Sequence, residues 1–223
     1  MEYTMFDTLL QLPLFQGMSK SEMSEVIEKA KFHFQQFADK EVLFRQGEEC
    51  AQLVFLLKGE LSSETLAPNT LFSLEESIIG PSIVEPSSLF GKCPCYKGTY
   101  TARGGASILT IDKQYIYGVL DQYEVFRMNF FNLLSSKTEQ LYEKIWSITP
   151  QELEGRIIHF IRSVCNSPKG EKILKVKMED LAKLLDDTRL NVSNVLNKWQ
   201  EEGLIEMHRK EFIFHDIERL RAI

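Results

Sequence analysis

The segment from Met178 to Ile205 constrains the fold of this chain more than any other. It reads MEDLAKLLDDTRLNVSNVLNKWQEEGLI, and its apolar residues recur at helical spacing in each half. The residues predicted to be buried are Leu181, Leu184 and Leu185 in the first half and Val192, Val195, Leu196 and Trp199 in the second. Ala182 is small where the second helix must cross closely. Two helices separated by so few residues indicate a helix-turn-helix motif.

The turn between these helices has an unusual residue. Asp186 occupies the position that is usually glycine in such a turn, and aspartate enters the left-handed backbone region at lower cost than most residues. Thr188 is the predicted N-cap of the second helix, because its hydroxyl can accept a bond from a free backbone N–H. Gly203 is predicted to end that helix.

The outer face of the second helix is polar. At about 100° per residue, the side opposite the apolar stripe holds Leu190, Ser193, Asn194, Asn197, Lys198 and Glu201, with Asn191 at its edge. Each asparagine costs a few tenths of a kcal/mol of helix stability relative to alanine. Asparagine can pair bidentately with adenine, and Arg189 can reach a phosphate or guanine. This chemistry is typical of a face that reads a DNA groove.

A basic turn follows this helix. In LIEMHRKEFIFHD two short apolar runs flank His208-Arg209-Lys210, which predicts a hairpin, or wing, with a tip suited to phosphate contacts. The predicted DNA-binding residues are Thr188, Arg189, Leu190, Asn191, Ser193, Asn194, Asn197, Lys198, Arg209 and Lys210.

The first half of the chain is predicted to be a β unit. Short Val-, Leu- and Phe-rich runs from Asp39 onward alternate with Gly and Pro turns, which indicates a β-sandwich or barrel. A short helix capped by Ser19 or Ser21 precedes it.

A long glycine-free stretch follows, predicted as a helix that starts with a capping box on Asp121 and ends before Pro150. A helix of about 27 residues spans ~40 Å, which is more than a small barrel can cover. A second chain is therefore the expected cover, and packing wholly within its own chain is the alternative. The predicted dimer interface consists of Val119, Tyr123, Phe126, Phe130, Leu133, Leu134 and Leu141.

Composition adds limits. The chain is 43% hydrophobic and 26% charged, as ordinary soluble proteins are. Residues 1–150 hold 13 Lys and Arg against 19 Asp and Glu, whereas residues 151–223 hold 13 of each class. This argues against nucleic-acid binding by the whole surface but permits a local basic patch. With no basic N-terminal region before an apolar run and no stretch of roughly 18 apolar residues, we expect a cytoplasmic protein with no membrane contact.

With these elements in this order, the whole chain resembles the CRP/FNR superfamily of bacterial transcription regulators. The resemblance rests on EVLFRQGEECAQLVFLLKGEL in the β unit and on DLAKLLDDTRLNVSNVLNKWQEEGLI near the C-terminus. It implies an α+β fold: a jelly-roll-like, cyclic-nucleotide-binding-like β-roll sensor domain over residues 1–120, a dimerisation helix over 121–149 and a winged helix-turn-helix domain over 150–223. It also implies a homodimer that binds double-stranded DNA at an inverted repeat, RNA polymerase as a partner and an unknown small-molecule effector.

The residues depart from the family pattern in two places. Positions matching Arg189, Leu190 and Asn194 face the bases in that family, commonly as Arg, Glu and Arg, and only Arg189 keeps its type. Leu190 removes an acceptor for cytosine and offers a contact to a thymine methyl, so we expect an operator richer in A·T. In the cyclic-nucleotide cassette Lys92 replaces the ribose-binding Glu, and Tyr96-Lys97-Gly98 stands where the family has its phosphate-binding Arg.

The cofactor therefore stays unknown. The cassette argues against cyclic AMP, and the lack of any cysteine before Cys50 argues against an FNR-like iron–sulfur cluster. A candidate effector pocket includes Gly91, Lys92, Cys93 and Cys95. Cys93 and Cys95 suit metal binding or oxidation, although buried, reduced structural thiols are the interpretation that we favour.

Two other functions remain open. An enzyme of the cupin type would need histidines in the β unit, yet none lies between His33 and His159. No nucleophile–base pair or phosphate loop is present either, so we predict no catalytic or metal site. A winged helix that serves as a protein-interaction or ligand-sensing module without DNA contact fits the neutral charge of residues 151–223.

Overall fold

A computed structural model describes residues 5–167 and 169–222. They form two compact units, the first made of residues up to Ser62 and 78–140, the second of residues 63–77 and 141 onward. This grouping differs from the expected limits in two respects, since residues 63–77 join the C-terminal unit and the division falls within the long helix. The limits at 120 and 150 remain predictions.

The first unit opens with helices α1 (Met5–Gln11) and α2 (Lys20–Lys29). Of the two candidate caps for α2, Ser19 is the one used: its hydroxyl accepts a bond from the Glu22 backbone N–H, and the Glu22 carboxylate accepts one from the Ser19 N–H at 2.8 Å. This reciprocal pair is a capping box.

Antiparallel strands form most of the first unit. The strands up to residue 112 are β1 (Phe32–Phe37), β2 (Val42–Phe44), β3 (Gln52–Leu66), β4 (Phe72–Ile79), β5 (Ser82–Val84) and β6 (Thr99–Asp112). The end of β3 and most of β4, within residues 63–77, belong to the second unit. Both β1 and β2 pair with β6, and β5 pairs with β3. The core of this unit includes Phe55 and Ile108 from the strands and Phe15 from the segment between α1 and α2. The expected antiparallel β unit is confirmed.

The long helix is shorter than expected. After α3 (Lys113–Gly118), α4 runs over Glu124–Trp146, which is 23 residues rather than about 27. The capping box predicted on Asp121 is wrong, because Asp121 lies in a short 3-10 turn over Leu120–Gln122. The first helical bond joins the Arg127 N–H to the Tyr123 carbonyl.

The second unit alternates helices and strands. Its elements are α5 (Leu153–Val164), β7 (Lys172–Val176), α6 (Met178–Leu184), α7 (Arg189–Glu201), β8 (Ile205–His208) and β9 (Glu211–Phe214). Residues 72–76 of β4 pair with β7, which pairs with β9, and β9 pairs with β8, all antiparallel. The core beneath contains Ile157, Trp199 and Phe214. The α+β class is confirmed.

A buried ion pair joins β4 to β7 inside this unit. Lys172 Nζ lies 3.6 Å from Glu76 Oε1, with side chains only 2% and 8% exposed. The Glu76 carboxylate also accepts bonds from the backbone and side-chain N–H groups of Asn166 at 2.9 Å, and Lys172 donates to the Lys169 carbonyl at 2.7 Å. Hydrogen-bonded in this way, both buried charges are compensated.

Candidate nucleic-acid interface

The turn between α6 and α7 has the predicted geometry. Asp186 has φ 50°, in the left-handed region, and the Asp187 N–H donates to the Ala182 carbonyl at 3.0 Å. Ala182 is buried, as expected for the point where the two helices cross closely. The substitution of aspartate for the usual glycine is therefore tolerated without a change of motif.

A polar network fixes the start of α7. Thr188 is the N-cap, and its hydroxyl accepts a bond from the Asn191 N–H at 3.2 Å. The Asp187 carboxylate accepts bonds from the Asn191 side-chain amide at 2.8 Å and the Thr188 N–H at 2.7 Å, and it pairs with Arg156 of α5. The Asn191 bond is the largest cause of a lowered pKa for Asp187, followed by the Thr188 bond. A carboxylate just before the N-cap thus holds the first turn of α7 through its bonds to Thr188 and Asn191.

The outer face of α7 is open to solvent. Leu190 is 69% exposed, and Asn194 and Asn197 are also exposed, whereas Ser193 is half-buried. The opposite side holds the buried Val192, Leu196 and Trp199. A large apolar side chain that is this exposed gains little free energy from burial within the unit.

The two cations on the outer face of α7 form only weak ion pairs. The Arg189 guanidinium lies 3.6 Å from the Glu179 carboxylate, and Lys198 Nζ lies 3.2 Å from that of Glu154. All four side chains are largely exposed, and such surface pairs contribute at most about 1 kcal/mol. Arg189 and Lys198 can therefore exchange these carboxylates for phosphates at little cost.

The wing is also confirmed as a hairpin. His208 pairs with Glu211 in the antiparallel ladder, so Arg209 and Lys210 form a two-residue turn, with Lys210 at φ 67°. Both turn residues are exposed. The second unit thus presents two separate polar surfaces, the α7 face and a basic tip.

The candidate effector residues lie together on one loop of the first unit. Gly91, Lys92 and Cys93 are exposed and Cys95 is partly exposed. Neither Cys93 nor Cys95 is a buried thiol, so that expectation is wrong for both. Cys50 and Cys165, by contrast, are buried.

Sequence reasoning missed a carboxylate beside this loop. Glu85 has φ 43°, and its carboxylate accepts bonds from the Tyr100 hydroxyl at 2.6 Å, from the Lys97 N–H at 2.7 Å and from the Ser88 hydroxyl. Its donors lie 3, 12 and 15 residues further along the chain, so no local pattern marks it. All three donors come from the chain itself.

The predicted dimer residues divide into two groups. Phe126 and Phe130 are only 1% and 7% exposed and belong to the core of their own unit. Val119, Tyr123, Leu133 and Leu134 pack partly against the same core, and Leu141 is exposed. Packing within the chain thus accounts for much of the predicted stripe, because the same spacing serves an internal core. Met128 and Phe131, which the sequence reasoning passed over, are the exposed apolar residues of this helix in the first unit.

Over the described residues, no helix is long and apolar enough to cross a membrane. In the same part of the chain, no group of three or more His, Cys, Asp or Glu side chains is arranged to hold a metal ion.

Comparison with known proteins agrees with the helix-turn-helix in the second unit. Residues 155–223 match the family model of the Crp-like helix-turn-helix domain. The global nitrogen regulator of Nostoc sp. is 21% identical over 192 residues, which cover 80% of this chain and 83% of that protein.

Two solved structures align with this chain. The sensor domain of the transcriptional regulator DNR from Pseudomonas aeruginosa has a TM-score of 0.50 at 17% identity, covering 64% of this chain and 99% of that one. The Thermus thermophilus catabolite activator protein has a TM-score of 0.49 at 15% identity, covering 94% of this chain and 97% of that one.

The fold and the site define a protein with an antiparallel β unit, a long helix and a winged helix-turn-helix. Its C-terminal segment is a Crp-like helix-turn-helix domain, and the chain fits a transcription regulator of the CRP/FNR type. By name, the first of these relatives is a nitrogen regulator, and the sensor domain belongs to a transcriptional regulator.

Proposed function

We propose that this protein is a homodimeric, sequence-specific DNA-binding transcription regulator. The observation that carries the proposal is the open face of α7, where Leu190, Asn194 and Asn197 are exposed on a helix whose first turn is fixed by Asp187. Base edges in the major groove offer partners for amides and a methyl contact for leucine. In a dimer, one α7 from each subunit enters successive major grooves about 34 Å apart.

The predicted DNA-binding residues divide into groups with different roles in this proposal. Asn194 and Asn197 read bases, Leu190 contacts a thymine methyl, and Arg189 reaches guanine or a phosphate. Lys198, Ser193, Arg209 and Lys210 contact the phosphate backbone. Thr188 and Asn191 act mainly by holding the first turn, since both are engaged with the backbone or with Asp187.

Dimerisation through α4 is the second part of the proposal. The exposed Met128 and Phe131 lie three residues apart on one side of the helix, and Leu141 continues the exposed apolar residues further along it. A second copy of α4 would cover them by coiled-coil-like packing. Phe131→Glu is expected to give a monomer in sedimentation experiments, whereas Ser136→Glu, on another side of the helix, leaves the dimer intact. A wild-type monomer would remove this part of the proposal.

The β unit, proposed as residues 1–120, senses an effector that is not a cyclic nucleotide. Support comes from the exposed Lys92 and from the lack of an arginine among Tyr96-Lys97-Gly98. Effector binding would reorient the two α7 helices through the dimerisation helix and change contact with RNA polymerase. Native mass spectrometry of the purified dimer would reveal a retained small molecule.

Selection of bound genomic fragments tests the main proposal. We expect an enriched inverted repeat with A·T-rich half-sites about one helical turn apart. The competing function, a protein-interaction module without DNA contact, fits the equal numbers of basic and acidic residues in 151–223. Absence of any enriched repeat would favour it.

A further inference from the structure

Two thiols meet at the surface of the first unit. Cys93 Sγ and Cys95 Sγ lie 3.7 Å apart in a three-residue turn closed by a bond from the Cys95 N–H to the Cys93 carbonyl at 2.9 Å. Pro94 between them has a fixed φ, which limits the turn to few conformations. The turn thus holds the two sulfur atoms in contact.

The surroundings hold this turn in place. The Cys50 N–H donates to the Pro94 carbonyl at 2.8 Å, and the Tyr96 N–H donates to the Glu48 carbonyl at 2.9 Å. Cys95 also forms an isolated bridge with Glu49. The backbone on both sides of Cys95 is therefore anchored to residues 48–50, while Cys93 faces solvent.

We propose that Cys93 and Cys95 form a reversible redox site, a dithiol that a hydroperoxide converts to an intrachain disulfide. Exposure gives the oxidant access, and contact between the sulfur atoms favours a disulfide over further oxidation. In a reducing compartment such a disulfide is transient, as redox-sensing disulfides are. A closed zinc site would need four ligands, and no third candidate ligand groups with these thiols among the described residues.

The chemistry balances with the peroxide as the only co-reactant. Cys93 loses its proton to solvent, and its thiolate attacks the peroxide, so that the O–O bond breaks and a sulfenic acid remains on Cys93. The departing alkoxide takes up a proton from solvent and leaves as an alcohol. The Cys95 sulfur then attacks the Cys93 sulfur and loses its proton to solvent, the S–O bond breaks, and the departing hydroxide takes up a proton and leaves as water. Two electrons pass from the two thiols to the peroxide.

The two thiols have different roles in this sequence. The hydrogen bond with Cys93 is the largest cause of a raised pKa for Cys95. Cys93 is exposed whereas Cys95 is only partly exposed, so Cys93 reacts first with the peroxide and Cys95 acts second, as the resolving thiol. Reduction by a dithiol reverses the reaction through thiol–disulfide exchange.

The buried cysteines provide an internal control. Burial is the largest cause of a raised pKa for both Cys50 and Cys165, and both are 2% exposed. We therefore expect a stoichiometric peroxide to spare them. The redox reaction does not depend on the DNA-binding proposal, and it is measured on the protein alone.

Alkylation of the denatured protein, read by intact mass and peptide mapping, tests the proposal. After treatment with a stoichiometric alkyl hydroperoxide, we expect the number of alkylated cysteines to fall from four to two, and to return to four after dithiothreitol. The disulfide should map to Cys93 and Cys95. Cys93→Ser should lose the reaction, whereas Cys50→Ala should keep it.

Three results would overturn the proposal. They are four alkylated cysteines after peroxide, a linkage that involves Cys50 or Cys165, and a loss of thiols that dithiothreitol does not reverse. The Cys95→Ser variant adds a check on the order of steps, since it should accumulate a sulfenic acid that a dimedone probe traps on Cys93.

Discussion

A carboxylate of the first unit and the polar face of α7 in the second unit are used in opposite ways. In the first unit, Glu85 accepts three bonds from Ser88, Lys97 and Tyr100, so its carboxylate is enclosed by its own chain. In the second unit, Asp187 likewise accepts bonds at the start of a helix, but the next polar side chains, on α7, face solvent. Enclosed polar groups stabilise a fold, whereas an open polar face stabilises nothing until a partner binds it.

The largest effect is expected at the most enclosed charge. Lys172→Met leaves the buried Glu76 without its cation, and loss of one partner of a buried pair costs about 3–5 kcal/mol of unfolding free energy. Urea unfolding measures it. The control is Lys175→Met, whose partly exposed pairs with Glu64 and Glu75 should be worth about 1 kcal/mol or less. Equal losses for the two variants would show that burial does not distinguish these pairs.

Substitution on the open face of α7 should change DNA affinity far more than stability. Asn194→Ala is expected to change unfolding free energy by less than about 0.5 kcal/mol, since alanine is the better helix former and Asn194 is exposed. Its affinity for the selected DNA fragment should fall by about 5- to 150-fold, the equivalent of one lost bidentate contact of about 1–3 kcal/mol. Fluorescence anisotropy measures the affinity. A destabilised variant with normal DNA affinity would contradict the assignment.

Substitution of Glu85 should have an effect of intermediate size on stability. Glu85→Gln keeps the side-chain length but weakens three bonds to a carboxylate, which should lower unfolding free energy by about 1–3 kcal/mol. Thermal unfolding of the variant tests this. Affinity for DNA in the absence of an effector should stay within twofold of wild type. A large fall in affinity would contradict a purely structural role for Glu85.

The smallest effect concerns pH. The pKa of Asp187 is lowered in the folded protein, first by Asn191 and then by Thr188. A lowered pKa stabilises the fold above the ordinary aspartate value and loses that contribution as pH falls through the folded value. The difference in urea midpoint between wild type and Asp187→Asn should therefore be present at pH 7 and shrink below about pH 4. A difference that grows on acidification would contradict this sign.

Much of the second unit could be predicted because its signals are local. The apolar stripe of α7, the Thr188 cap and the left-handed Asp186 are each set by neighbours within a few residues. The turn at Arg209 and Lys210 follows in the same way from two flanking strands. Which outer residues contact DNA is not settled by such signals, and that assignment remains a prediction.

The features that escaped prediction depend on distant partners. Glu85 accepts a hydrogen bond from Tyr100, 15 residues further along the chain. Glu76 forms an ion pair with Lys172, which is almost a hundred residues further along. The stripe of Phe126 and Phe130 had the right spacing for an interface, yet the chain's own core covers it. Periodicity shows that a face is covered, but it does not show by what.

The salt dependence of DNA binding tests the central claim most directly. Affinity for the selected fragment is measured by anisotropy over a range of salt for wild type, for Arg189→Ala with Asn194→Ala, and for Gln200→Ala as an exposed control on the same helix. We predict that wild-type affinity falls with salt, with a slope of about 0.9 per phosphate contact, that the double variant binds at least tenfold more weakly, and that the control matches wild type. Equal affinity for all three proteins would contradict the claim that the open face of α7 reads DNA.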